Sequence, residues 1–312
     1  MVNINAFNCR AMLKAFLFCA MLSQLCFGQV QTDTTFSNKK NKNFKYVIAG
    51  NAIAYTGSMV GFYSLWYKNY PQSSFHFFND NNEWLGMDKV GHAASVFYIS
   101  KWNTQLYKAT GMKNKNAVWW GCGSTLLFFT TIEVMDGFSS QWGFSNGDMV
   151  ANVAGASALA LQQYFWNDTR INFKFSFSQS PYAQCNKSLL GANYPEQIFK
   201  DYNGQTYWAS ANLKSIFFAS KKFPAWLNIA VGYGGDGMLS ARNIATTNNP
   251  VTCNVNGITR QRMFYISPDI DLNKIPTKSK ALKTIFNVLS FIKIPAPTIE
   301  VGKRIKMFPI YF

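Results

Sequence analysis

The sequence Ser145-Asn-Gly-Asp148-Met-Val-Ala-Asn152-Val-Ala-Gly155 predicts the start of a helix that carries polar side chains into apolar surroundings. Serine is a favourable N-cap residue, and Asp148 would bring negative charge into the first helical turn. Residues four apart share one face of a helix, so we expect Asp148 and Asn152 to be neighbours. Because buried polar groups are costly unless they meet partners, the stretch predicts further polar residues that pack against it.

Two other polar clusters have similar spacing and similarly apolar flanks. They are Asp88-Lys89-x-x-His92 and Glu133-x-x-Asp136. We predict that both clusters join Asp148 and Asn152 in one shared polar site inside a hydrophobic four-helix bundle. The helices are predicted over residues 44–68, 86–108, 115–135 and 147–166.

Composition points to an apolar environment and an anionic partner. The chain has 312 residues, of which 17% are aromatic and 14% charged, and its net charge is +16. This balance favours association with a membrane that carries anionic lipid. The basic residues do not form a recognisable nucleic-acid module, so we expect an anionic membrane lipid or a lipid-linked envelope component as partner, and no nucleic acid.

The N-terminal residues predict export to the cell envelope. Arg10 and Lys14 precede the apolar run 15–22, and Cys26-Phe-Gly28 offers small residues for signal cleavage. We therefore predict a signal peptide over 1–28 and a basic linker over 29–43. Lipidation at Cys26 and an uncleaved membrane anchor are weaker alternatives, the first because the residue immediately before Cys26 is Leu25 and not a small residue.

The remainder of the chain divides into a helical bundle over 44–168 and a smaller mixed α/β module over 169–312. In this module, Ile171-Asn-Phe-Lys-Phe-Ser-Phe177 alternates and predicts a half-buried strand. Asp269 and Asp271 are expected to be exposed acids beside a strand, and a disulfide between Cys185 and Cys253 is possible in an oxidising compartment. The predicted fold class is α+β.

The order of the polar motifs resembles that of a known class of proteins. Asp88-Lys-Val-Gly-His92, Glu133-Val-Met-Asp136 and Asp148-x-x-x-Asn152 resemble the motifs of an uncharacterised family of predicted periplasmic lipoproteins and envelope proteins, and more distantly those of VanZ-like membrane proteins. The resemblance covers residues 75–168 and implies an envelope location and a shared polar site, without an established reaction.

Several functions fit these residues. The favoured hypothesis is an envelope protein whose buried cluster organises the bundle and binds an anionic lipid group. The alternative is a membrane-associated hydrolase or transferase that acts on a lipid-linked phosphate or sugar, with His92 as acid–base and Lys89 as anion clamp. A metal ion held by the carboxylates is a weaker alternative because histidines are scarce, so no cofactor is predicted.

Overall fold

The computed structural model of the chain describes residues 43–68, 70–217, 220, 222–242, 253–254, 257–302 and 304–312. The predicted signal peptide (1–28), and the predicted linker (29–43) except its last residue, lie outside these ranges. The chain forms two compact units. The helical unit comprises the residues up to Asp80 together with Ser95–Asn167, and the strand unit comprises Asn81–Ala94 together with Asp168–Phe312.

Four long helices lie at the predicted places. They are α1 (Phe44–Phe62, followed by a π-helical turn over Tyr63–Tyr67), α2 (Met87–Ala109), α3 (Asn114–Gly137) and α4 (Asn146–Trp166). Their existence is confirmed, whereas their arrangement as a four-helix bundle stays a prediction. Within the described ranges, every helix is too short or too polar to cross a lipid bilayer.

The strand unit contains one antiparallel sheet of six strands, so the mixed α+β class is confirmed. The strands follow each other in the sheet as they do in the chain. They are β1 (Ile171–Phe177), β2 (Gln205–Asn212), β3 (Leu227–Asp236), β4 (Gln261–Ile270), β5 (Ala296–Val301) and β6 (Ile305–Tyr311). The helices that connect them are α5 (Lys187–Leu190), α6 (Tyr194–Lys200), α7 (Leu213–Ile216) and α8 (Lys280–Leu289).

The outer edge of β1 is covered by the segment that leads into β5. Phe175 donates its backbone N–H to the carbonyl of Phe291 at 2.7 Å, and Lys293 donates its N–H to the carbonyl of Phe175 at 2.9 Å. Edge strands expose unsatisfied backbone groups, so this contact closes a side that is otherwise open to pairing. It also carries the Lys293 side chain to the inner face of the sheet.

The inner face of the sheet is mainly polar, whereas an antiparallel sheet usually buries its apolar face and exposes its polar one. On β1 the polar residues Asn172, Lys174 and Ser176 are buried, while Phe173 and Phe175 are only half-buried. The alternating pattern thus predicted the strand correctly, but the more buried face is the polar one.

Aromatic rings fill the rest of this interior. Trp208 packs at a tilt against Tyr265 (5.8 Å between ring centroids) and edge-on against Tyr311 (5.9 Å), and its indole N–H donates to Ser176 at 3.0 Å. Gly232 on β3 permits this packing because a Cβ there would lie 2.8 Å from the Trp208 ring.

A buried ion network joins three strand-unit segments beside these rings. The Lys174 ammonium lies 2.7 Å from one oxygen of Asp269, and the Lys293 ammonium lies 3.7 Å from the other. Ser210 donates a hydrogen bond of 2.6 Å to the same carboxylate. Asp269 and Asp271 are each only 2% exposed, so the prediction that both are exposed acids is wrong.

The lysines gain further partners that compensate for their burial. Lys174 donates to the carbonyl of Ile270 at 2.6 Å, and Lys293 donates to the carbonyls of Pro268 and Ile294 at 2.9 and 2.8 Å. Burial lowers the pKa of Lys293, Asp269 opposes that change, and Lys174 adds to it.

The described cysteines comprise one disulfide and one free thiol. Cys185 and Cys253 form a disulfide, as considered possible from the sequence. Cys122 is a free, buried thiol in α3, and burial raises its pKa to about 11.

Replacement of Asp269 by alanine should strongly destabilise the strand unit. Two lysines would then remain buried with less compensation, which typically costs about 3–5 kcal/mol. The matched control is Asp168→Ala, which breaks a more exposed pair with Lys274 (2.9 Å, Asp168 side chain 43% exposed) and should cost about 1 kcal/mol or less. Chemical denaturation of both variants measures the difference, and equal losses would contradict a special role for the buried network.

Candidate functional site

The seven predicted site residues fall into two groups. Glu133, Asp136, Asp148 and Asn152 belong to the helical unit, whereas Asp88, Lys89 and His92 belong to the part of α2 that lies in the strand unit. The convergence of all seven residues on one site stays a prediction, and the two groups are therefore described separately.

Ser145 is the centre of the helical-unit group. Its side chain caps α4 by accepting the N–H of Asp148 at 3.1 Å, as the sequence predicts, and donates to Asp80 at 2.7 Å. Its backbone N–H donates to the Glu133 carboxylate at 3.4 Å. Ser145, Glu133, Asp148 and Asn152 are each at most 5% exposed. This serine therefore links the end of α3, the start of α4 and the segment before α2.

Backbone contacts reinforce this junction. Ser73 donates its N–H to the carbonyl of Phe138 at 2.9 Å, and Phe144 donates its N–H to the carbonyl of His76 at 3.0 Å. The segment before Asp80 thus pairs with the connection between α3 and α4. Glu133 and Ser145 are held at a fixed place by main-chain bonds as well as by their own side chains.

Asp136 has a different partner from the rest of the group. The Tyr67 hydroxyl donates to it at 2.7 Å, and Tyr67 is buried. Burial raises the pKa of Tyr67 well above its usual value of 10, and the nearby charges of Asp136 and Glu133 raise it further. A cleft beside this pair has walls that include Tyr63, Tyr67 and Phe138. Aromatic walls next to carboxylates suit an apolar or cationic group better than a phosphate.

In the strand unit, the Asp88 carboxylate lies close to the two other predicted site residues, Lys89 and His92. Lys89 donates to Asp88 at 3.1 Å, Tyr202 donates at 2.9 Å, and Nε2 of His92 lies 3.9 Å away. Asp88, Lys89 and His92 are each about a fifth to a quarter exposed. A Cβ at Gly91 of α2 would lie 2.8 Å from the Tyr207 hydroxyl, so the glycine leaves room for this ring; burial followed by the Asp88 charge raises the pKa of Tyr207.

The sequence interpretation missed a third feature, a basic and aromatic end of the helical unit. We call it the lysine–aromatic end and define it as residues 43–48, 107–120 and 161–166. Phe44 at the start of α1 contacts Tyr107 at the end of α2 and Trp120 at the start of α3, with centroids 6.2 and 6.0 Å apart. Asn114 donates to the carbonyl of Gln163 at 3.2 Å, which joins the end of α4 to the same place.

Lysines and large aromatic side chains share the surface of this end. Lys45, Lys113 and Lys115 are exposed, and Lys115 lies 5.0 Å above the ring of Tyr164. The exposed aromatic residues are Tyr46, Trp119, Trp120, Tyr164, Phe165 and Trp166. The three defining segments contain no Asp or Glu.

Two helix N-termini add positive potential to the lysine–aromatic end. Helices α1 and α3 both begin there without an acidic residue in the first turn. Neither N-cap residue, Asn43 nor Lys113, accepts a hydrogen bond from its helix through its side chain. Helix N-termini carry a partial positive charge, so the backbone and the lysines both attract anions.

Comparison with known proteins supports the envelope interpretation. Residues 76–164 match the model of a family described as predicted periplasmic lipoprotein (DUF2279), and this range contains all seven predicted site residues. The match covers less than a third of the chain and supports an uncharacterised periplasmic envelope protein, whereas the VanZ-like resemblance stays a prediction. Neither a curated protein nor a solved structure is significantly similar to the chain.

Replacement of Ser145 by alanine should destabilise the helical unit by about 1–2 kcal/mol, because the α4 cap and the bond to Asp80 are both lost. Ser140→Ala is the matched control, since Ser140 is exposed and lies in the same connection. Thermal unfolding followed by circular dichroism measures both. A Ser145 variant as stable as the Ser140 control would show that this junction does not depend on the serine hydroxyl.

Tyr67→Phe should lower stability at neutral pH by about 1–2 kcal/mol, because a hydrogen bond to a carboxylate is lost. The folded-state pKa of Tyr67 is raised, so its contribution is fully present below the unfolded value of 10 and is lost as the pH rises above it. The gap between the wild type and the variant should therefore narrow above pH 10. Urea titrations on either side of that pH test this, and a constant gap would contradict it.

Proposed function

We propose that this protein is an exported envelope protein that binds an anionic lipid surface through the lysine–aromatic end of its helical unit. The observation that carries the proposal is the joint exposure of lysines and large aromatic rings on one end that lacks acidic residues. Lysine pairs with lipid phosphates, and Trp and Tyr favour the headgroup layer, where one side of the ring is apolar and the other is hydrated.

The polar cluster has an organising role in this proposal. In the helical unit, Ser145 bonds to the carboxyl groups of Asp80 and Glu133, and Tyr67 bonds to that of Asp136, so a region rich in carboxyl groups opposes the binding of an anionic group. The hydrogen bonds of Ser145 and Tyr67 fix the end of α3 and the start of α4. Anionic lipid is therefore assigned to the lysine–aromatic end, and structural support is assigned to the cluster.

The alternative of a hydrolase or transferase receives less support from the strand-unit group. It requires Lys89 to clamp an anion and His92 to transfer protons. The Lys89 ammonium is bonded to Asp88, and the same carboxylate lies near His92. A phosphate group would have to compete with Asp88 for both side chains.

The triple variant Lys45→Gln/Lys113→Gln/Lys115→Gln tests the proposal. Each lysine near an anionic surface contributes about 1 kcal/mol, so the three together should weaken binding roughly a hundredfold. The measurement is co-sedimentation of the protein with vesicles of phosphatidylglycerol mixed with phosphatidylcholine at low salt, beside vesicles of phosphatidylcholine alone.

A control with the same charge change is Lys187→Gln/Lys278→Gln/Lys280→Gln, because these strand-unit lysines are also exposed. It should bind nearly as well as the wild type. Equal weakening in the two triple variants would mean that net charge alone governs binding. Equal binding of the wild type to both kinds of vesicle would remove the role of anionic lipid.

A further inference from the structure

The strand unit presents an apolar outer face that a water-exposed sheet normally does not have. Outward positions on β4 are Phe264, Ile266 and Pro268, while the alternate positions Ser267 and Asp269 point inward and are buried. The same alternation on β3 places Val231 outward, 54% exposed, and Ala230 inward. Large exposed apolar patches on a folded protein mark interaction surfaces.

Cross-strand register makes this face continuous. One row consists of Val231, Ile266, Ile299 and Met307 on four neighbouring strands. The next row consists of Tyr233, Phe264, Val301 and Ile305. Exposure within the two rows reaches 75% at Met307 and 76% at Ile305. We call these two rows the outer face of β3–β6.

A basic border adjoins this face. Arg262 lies two residues before Phe264 on β4 and shares its outward side, and Arg304 precedes Ile305 at the turn between β5 and β6; both arginines are exposed. The acidic residues of these strands, Asp236, Asp269 and Glu300, occupy the inward positions of the alternation. The outer face is thus apolar in its middle and positive at one end.

We propose that the outer face of β3–β6 lies against the apolar layer of a lipid bilayer, with Arg262 and Arg304 at the level of the anionic headgroups. This inference rests on the proposed function and extends it, because it assigns a second contact with the same lipid phase to the strand unit. A second copy of the chain fits less well, since the arginine borders and the net charge of +16 of each copy would repel one another.

The two contacts differ in their share of electrostatic attraction, so salt should weaken the lysine–aromatic contact more than the outer-face contact. Attraction between lysines and anionic headgroups is screened at high ionic strength, whereas burial of apolar side chains persists. The wild-type protein should therefore retain part of its binding to phosphatidylglycerol-containing vesicles in about 0.5 M salt.

The double variant Ile299→Ser/Met307→Ser should lower this salt-resistant binding about tenfold or more, because two apolar side chains lose their burial in the bilayer. Both residues are exposed, so the fold should tolerate the change, and circular dichroism checks that it does. Ile216→Ser/Phe217→Ser is the matched control, with two exposed apolar residues outside β3–β6. It should bind like the wild type.

A second readout does not depend on the stability of the double variant. Met307→Cys, labelled with a polarity-sensitive dye, should shift to shorter emission wavelength when vesicles are added, whereas the same dye on Asn273→Cys should not. Both substitutions are made in the Cys122→Ser background.

Three results would overturn the inference. They are an absence of salt-resistant binding by the wild type, equal salt-resistant binding by the double variant and its control, and a dimer in solution that the double variant abolishes. The Lys45/Lys113/Lys115 variant tests the proposed function separately from the outer-face contact. If it binds normally at low salt while the double variant loses salt-resistant binding, the proposed function fails and the outer-face contact stands.

Discussion

The ion network of Lys174, Asp269 and Lys293 is the interaction on which the strand unit depends. Three charges in a sheet interior are tolerable only when they are paired and hydrogen-bonded, and here Ser210 and several carbonyls complete the set. A sheet that encloses charged and hydroxyl side chains on one face must place its branched apolar residues on the other. The apolar outer face is thus the counterpart of the polar interior.

The helical unit also contains buried polar groups that need hydrogen-bond partners, at the junction around Ser145. Carboxylates near α3 and α4 are satisfied by the Ser145 backbone N–H and hydroxyl and by Tyr67, so they stabilise the connections between helices. Among the exposed lysines that the structure describes in this unit, Lys45, Lys113 and Lys115 lie at the lysine–aromatic end, whereas Lys68 lies next to Tyr67. This separation of charge gives the unit one region that disfavours anions and another that attracts them, which is the basis of the proposed lipid contact.

Sequence patterns predicted the positions of helices and strands better than the burial and tertiary packing of their side chains. The four long helices, β1 and the Ser145 cap follow from local periodicity and capping chemistry, which act within a few residues. Alternation along a strand does not tell which side is buried, so Asp269 was expected at the surface. The lysine–aromatic end joins segments about 50 to 120 residues apart and requires tertiary packing.

The most direct test of the account asks whether the exposed apolar residues face lipid. Hydroxyl-radical footprinting of the whole protein, with and without phosphatidylglycerol-containing vesicles, reports the accessibility of Trp119 and Met307, which are 78% and 75% exposed, and of Phe217, which is 65% exposed and outside both proposed contacts. The account predicts that vesicles protect Trp119 and Met307 from oxidation and leave Phe217 reactive. Unchanged oxidation of Trp119 and Met307 in the presence of vesicles would contradict it.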